Sequence, residues 1–245
     1  MTRLRCPHRS TMLAVFSVVV GLLVVTGLSR ASEALTFDVA ADFSATNNPN
    51  GVWTYAFQNP DGSFGPLPSI IHPSGVDVWF RLSPPPFTTL PQIAHNSTAV
   101  QVIFGTAIVA PGAVTFHPGV DGTLAVIRFT APLSADYDVD AFFRDAETNP
   151  NIATVSVVRN GSVLLSQNLG IGTVNFDQGL TLVAGDTLDF RIAAGPNSFF
   201  NDNKRIGVTI TAAPTDVPQP SGLLLTLFGV GVLSLVLRRQ GAPKH

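Results

Sequence analysis

The chain has 245 residues, of which 45% are hydrophobic and 12% charged, with 14 Lys and Arg against 16 Asp and Glu for a formal net charge of −2. The charge is unevenly placed: residues 35–216 hold seven Lys and Arg against fifteen Asp and Glu, a formal −8, while both ends are basic. An acidic, Lys-poor middle argues against nucleic acid as a partner and against docking on anionic lipid. The single cysteine, Cys6, excludes a disulfide framework, so one domain of this length must hold together by core burial alone.

The first segment reads as a secretory signal peptide over residues 1–34. Arg3, Arg5 and Arg9 form a basic start, Met12 to Leu28 is apolar, and small residues follow at Ser29-Arg30-Ala31 and Ser32-Glu33-Ala34. Cleavage is expected after Ala34, or else after Ala31.

Residues 35–213 then read almost entirely as strand. Leu35–Phe43 is rich in β-formers, and Val52–Phe57 puts Trp53, Tyr55 and Phe57 on one face. Asn59 to Pro68 reads as a turn-rich linker. Val76–Leu82 carries Val76, Val78 and Phe80 on one side and Asp77, Trp79 and Arg81 on the other. Ser83 to Pro91, with Pro84-Pro85-Pro86, cannot pair inside a sheet. Short strands are expected at Ala99–Phe104, Ile108–Val109, Ala113–Phe116, Leu124–Thr130, Tyr137–Phe143 and Ile152–Arg159. Asn160-Gly161 predicts a hairpin of the I′ type into Ser162–Gln167. Leu180–Val183, Thr187–Ala193 and Arg205–Ala212 complete an all-β, two-sheet sandwich of jelly-roll or galactose-binding-like kind.

The last segment, residues 214–245, has three parts. Val217-Pro218-Gln219-Pro220 breaks regular structure, because each proline lacks an N–H and pushes its predecessor toward extended backbone. Gly222 to Leu237 carries no charge; as a helix it spans roughly 24 Å, short for a hydrocarbon core of about 30 Å. Arg238-Arg239 follows and places that end on the cytoplasmic side. This order resembles the PEP-CTERM sorting signal, with Gln219 standing where the family usually carries Glu. The resemblance implies passage through the Sec translocon, membrane attachment through the C-terminal helix, and handling by an exosortase. The implied destination is the inner membrane first, then the cell surface or extracellular polysaccharide. Asn48-Pro49-Asn50-Gly51-Val52-Trp53-Thr54-Tyr55, His117-Pro118-Gly119, Ala131-Pro132 and Ala184-Gly185-Asp186-Thr187-Leu188-Asp189-Phe190 are similar to words of a β-sandwich module found in such proteins. That similarity transfers no ligand residue.

Candidate chemistry is sparse. Asp136, Asp138 and Asp140 alternate with Tyr137 and Val139, so the three carboxylates share one strand face. Oxygen clusters suit Ca²⁺, but successive same-face residues are nearly 7 Å apart, and a solvated face explains the pattern equally well. Asp202, with Asn201 and Asn203, forms a second oxygen-rich loop. Trp53, Tyr55 and Trp79 suit either a sugar-stacking platform or the core. His72, His95 and His117 read as scattered loop residues without zinc spacing. Asn96-Ser97-Thr98 matches an N-glycosylation pattern. No Gly-x-Ser-x-Gly elbow is present. The favoured reading is a non-catalytic exported surface or matrix protein without a cofactor. The alternative is a carbohydrate-binding module, with or without Ca²⁺, and an extracellular glycan hydrolase stands third.

Overall fold

A computed structural model describes residues 34–82, 89–196 and 198–213. The signal peptide, the triple-proline loop at 84–86 and the sorting tail lie outside the described residues. Among the described residues, no helix is long and apolar enough to cross a membrane.

Among the described residues sixteen strands follow one another: β1 Leu35–Asp38, β2 Trp53–Gln58, β3 Phe64–Pro66, β4 Ser69–Ile71, β5 Val76–Phe80, β6 Gln92–Asn96, β7 Val102–Phe104, β8 Ala107–Val109, β9 Val114–His117, β10 Leu124–Thr130, β11 Ala135–Asp145, β12 Ala153–Arg159, β13 Ser162–Leu169, β14 Thr173–Leu182, β15 Thr187–Ala193 and β16 Lys204–Ala212. They form an antiparallel sandwich. The large sheet runs β14-β11-β16-β9-β6-β5-β4, with β1 also on β16, and the small sheet runs β13-β12-β15-β10-β2-β3. From β9 to β16 the chain alternates between the sheets except at the β12–β13 hairpin, which stays in the small one, the wrapping of a jelly roll.

The core lies between the sheets. Trp53, Tyr55, Ile127, Phe129 and Phe190 of the small sheet face Ile93, Phe116, Tyr137, Phe143 and Ile210 of the large one. The aromatics meet at offset angles, Trp53 and Phe129 at 5.4 Å and Phe129 and Tyr137 at 5.9 Å between ring centroids. Each large side chain buried this way contributes about 2 kcal/mol of apolar transfer, which serves in place of crosslinks.

Several expected boundaries shift for local reasons. β1 stops at Asp38 because that carboxylate accepts from the Ala40 and Ala41 N–H groups, turning the chain. The linker after β2 contains β3, and β6 is a strand that the flanking prolines concealed. The Asn160-Gly161 hairpin forms as expected, with positive φ at both residues (47° and 84°). His95 and His117 belong to β6 and β9 rather than to loops.

Two of the words likened above to a sandwich module hold structural corners. Asn48 donates to the Tyr55 and Leu67 carbonyls and accepts from the Tyr55 N–H, bracing β2. Asp186 accepts from Arg159 and Asn160 across the turn between β14 and β15.

Candidate functional site

The sugar-stacking platform expected from Trp53, Tyr55 and Trp79 does not exist on the surface. These residues are 1%, 0% and 7% exposed, and all three pack in the central core. Trp53 Nε1 donates to Asp42 and Trp79 Nε1 to the Ser44 carbonyl, so each indole has its polar atom satisfied inside the fold. Buried rings have no face free to stack on a ligand.

Asp136, Asp138 and Asp140 stand on the outer face of β11, exposed, opposite buried Tyr137, Val139 and Ala141. Asp136 accepts from the Thr181 hydroxyl at 2.6 Å, and the other two lie beside Thr211 and Thr209 of β16. This is the solvated face. Asp202 lies apart from them, just before β16, and is fully buried. Among the described residues, no three His, Cys, Asp or Glu side chains converge as a metal site would require.

The cleft lies elsewhere, over the outer face of β5, β6 and β9. On this half of the large sheet Val76, Val78 and Ala94 point away from the central core, yet they are buried. Their cover is the β7–β8 hairpin, whose Val102, Phe104 and Val109 pack on them as a second small core. Asn96 clasps the hairpin to the sheet. Its fully buried side chain donates to the Val100 and Val109 carbonyls, both at 2.8 Å, and accepts from the Thr98 N–H and hydroxyl. The hairpin's far side is stitched to the next loop through Ile108 N–H to Ala146 O and Thr148 N–H to Thr106 O.

Between hairpin and sheet remains a cleft of about 250 Å³. Its floor is Val78, Gln92, Ala94 and Thr115, its roof Phe104, Ala107 and Val109, and its rims Ile71, Pro73, Thr89 and Asn203. Among these described residues none is charged or titratable. Amide and hydroxyl groups stand beside apolar surface, with Phe104 supplying the single aromatic ring. The volume is below the roughly 300–1,000 Å³ of drug-sized sites, room for about one ring of ligand. A second hollow of about 200 Å³ opens where β1 and β9 part along β16, beside Phe142 and Arg205. There Phe142 folds over Gly207, where a Cβ would meet the ring at 2.2 Å, and Arg144 and Arg205 flank the ring at 5.7 and 5.6 Å.

Beside the cleft, His117 lies across from Gln92. Burial lowers its pKa to about 4, helped by the nearby Lys204 charge and opposed by a bond to the Pro118 carbonyl. It is therefore neutral at physiological pH. Further along, Asn203 turns its backbone N–H to Glu147 Oε1 at 3.2 Å, linking the cleft to a buried polar cluster. Sequence reasoning missed Gln92 because β6 was concealed, and missed Asn96 because the residues around it matched a glycosylation pattern; Thr115 lay on an expected strand but carried no signal of its outward face.

No family model and no curated protein matches the chain. Solved structures with similar folds are carbohydrate-binding modules. One is the family 51 module of Clostridium perfringens GH95 in complex with methyl-galactose, at 8% identity and TM-score 0.35, covering 73% of this chain and 100% of that one. A family 35 module from Clostridium thermocellum matches at 12% identity and TM-score 0.30, covering 59% and 98%. A family 36 module of a xylanase from a Trinervitermes trinervoides hindgut metagenome matches at 12% identity and TM-score 0.29, covering 49% and 95%. The class defined by the fold itself is an all-β antiparallel sandwich.

Proposed function

We propose that this chain is an exported, non-catalytic carbohydrate-binding protein. One observation carries the reading: the cleft roofed by β7–β8 offers neutral hydrogen-bonding groups, Gln92, Thr115 and Asn203, next to apolar surface from Val78 and Phe104. A sugar ring has that same duality, hydroxyls on its rim and C–H groups on its faces. Glycoside hydrolysis needs two carboxyl groups flanking the bond, and no described cleft residue carries one. The two ends supply the route. The signal peptide takes the chain through the Sec translocon, and the Val217–Pro220 motif, apolar helix and Arg238-Arg239 hand it to an exosortase for delivery to the cell surface or extracellular polysaccharide.

Residues 35–213 close their own core, so the binding test uses that domain. Calorimetric titration with a panel of neutral mono- and oligosaccharides is expected to give binding that is lost in Gln92→Ala and kept in Asp138→Asn. Binding untouched by both Gln92→Ala and Phe104→Ala, or hydrolysis of the bound glycan, would contradict the reading. For the route, deleting Val217–His245 should release the domain to the medium, and retention of the truncated protein at the membrane would contradict it.

A further inference from the structure

The sandwich has two kinds of edge. On one side stand β3 and β4, three residues each, and β3 ends at Pro66, which has no N–H to offer. On the other side stand β13, eight residues, and β14, ten, each paired along one flank only. A long strand with an open flank presents a row of N–H and C=O groups to any further strand. Folded proteins commonly guard such a row with charge or proline.

β14 carries a guard and β13 does not. Asp177 sits mid-strand on β14, exposed, directly across from Asp140 of β11. A second β14 laid antiparallel along it would bring like charges together. β13 reads Ser-Val-Leu-Leu-Ser-Gln-Asn-Leu, with no charge and no proline, inside a stretch where fifteen Asp and Glu stand against seven Lys and Arg. Six of its eight residues are exposed. Val163 is 63% exposed, and Ile171, just past the strand, is 86% exposed. The register shift at Val157/Val158 leaves Leu164 as an extra residue near the start, so the regular stretch runs from Leu165 to Leu169.

That stretch is complementary to itself. Laid antiparallel about Gln167, Ser166 meets Asn168 of a second copy and Leu165 meets Leu169. Beyond them, exposed Val163 at one end comes beside exposed Ile171 at the other. No charge opposes another, on a domain whose acidity elsewhere repels its own kind. This match of the strand with itself selects a second copy as the occupant. We propose that two copies of this chain pair through β13, antiparallel about a two-fold axis at Gln167, joining their small sheets into one. The contact closes at two copies, because the opposite edge of the small sheet, β3, is too short to propagate it. Five residues give roughly 17 Å of ladder, so the pair is a weak one that forms at raised concentration. The hairpin-covered cleft lies at the far end of the large sheet from β14, so the dimer carries two open clefts. The pairing itself does not depend on what the cleft binds.

Analytical ultracentrifugation of residues 35–213, from about 1 μM to about 1 mM, tests this. The average mass should rise toward twice the monomer value. Ser166→Lys, which sets like charges beside the axis, should hold the mass at the monomer value, while Gln178→Lys on β14 should leave the rise intact. The domain contains no cysteine, so a single introduced one reads contact directly. Gln167→Cys should form a disulfide-linked dimer under mild oxidation, because paired Cα atoms across the axis lie about 5 Å apart. Gln178→Cys should not. All three substituted residues are exposed, so the core is left intact. A monomer at every concentration, the result if this edge takes a strand from a different protein, overturns the proposal. So does a dimer that persists in Ser166→Lys, or crosslinking no faster through Gln167→Cys than through Gln178→Cys.

Discussion

The two halves of the large sheet share one inner face and differ entirely on the outer one. On β11 burial alternates residue by residue, and the outward Asp136, Asp138 and Asp140 meet solvent. On β9 all four residues are buried and on β5 four of five are: Trp79, Val114 and Phe116 face the central core, while the outward Val76 and Val78 lie under the β7–β8 hairpin. Covering half of a sheet face creates a boundary, and the cleft lies at that boundary. A bare face supplies charge, with one hollow of about 200 Å³ beside Phe142, whereas a fully covered face leaves no opening. The covered half therefore holds the cleft, and the bare half presents Asp136, Asp138 and Asp140 to solvent.

The largest expected effect is common to both halves. Phe116→Ala removes a fully buried ring from the shared core, stacked at 6.1 Å on Phe143, and should cost about 4 kcal/mol in chemical denaturation. A cost below about 1 kcal/mol would mean that the two sheets do not share one packed interior.

His117 should make the covered half acid-sensitive. Its folded pKa of about 4 lies below the unfolded value near 6.5, so the unfolded chain binds the extra proton between those pH values. Its contribution, roughly 3 kcal/mol, is complete above pH ~6.5 and is lost as pH falls toward ~4. Asp202 acts in the opposite sense. Burial raises its pKa to about 6, so stability is lost as pH rises through that value. The His117 effect is therefore read as the difference between wild type and His117→Gln. Parallel pH profiles for the two proteins would contradict it.

The smallest effects separate the halves directly. Val78→Ala, in the second core, should cost about 2 kcal/mol. Asp138→Asn, on the bare face, should stay within about 0.5 kcal/mol. Equal costs in denaturant would mean that the hairpin does not cover its half.

The same contrast explains what the sequence disclosed. Alternation on β11 was readable because one face is wet and the other dry, the condition that period-2 patterning reports. The Asn160-Gly161 hairpin was readable because its backbone demands those residues. Trp79 and Val78 were assigned correctly to opposite faces, but not to two different cores, because burial on both sides erases the pattern. The clasp at Asn96 leaves only a local trace, an Asn followed two residues later by Thr98. Glu147 and Asp202 come together through strand pairing across the fold, and no spacing rule reaches that far. The words at 217–239 that resemble a sorting signal were read as a linear pattern and lie outside the described residues.

Two-dimensional NMR of residues 35–213, titrated with neutral monosaccharides, tests the central claim most directly. The predicted result is a set of saturating shifts confined to Val78, Gln92, Ala94, Phe104 and Thr115 around the covered cleft. Shifts centred instead on Phe142, Asp138 and Arg205 of the bare half, or no shifts with any sugar, would contradict it.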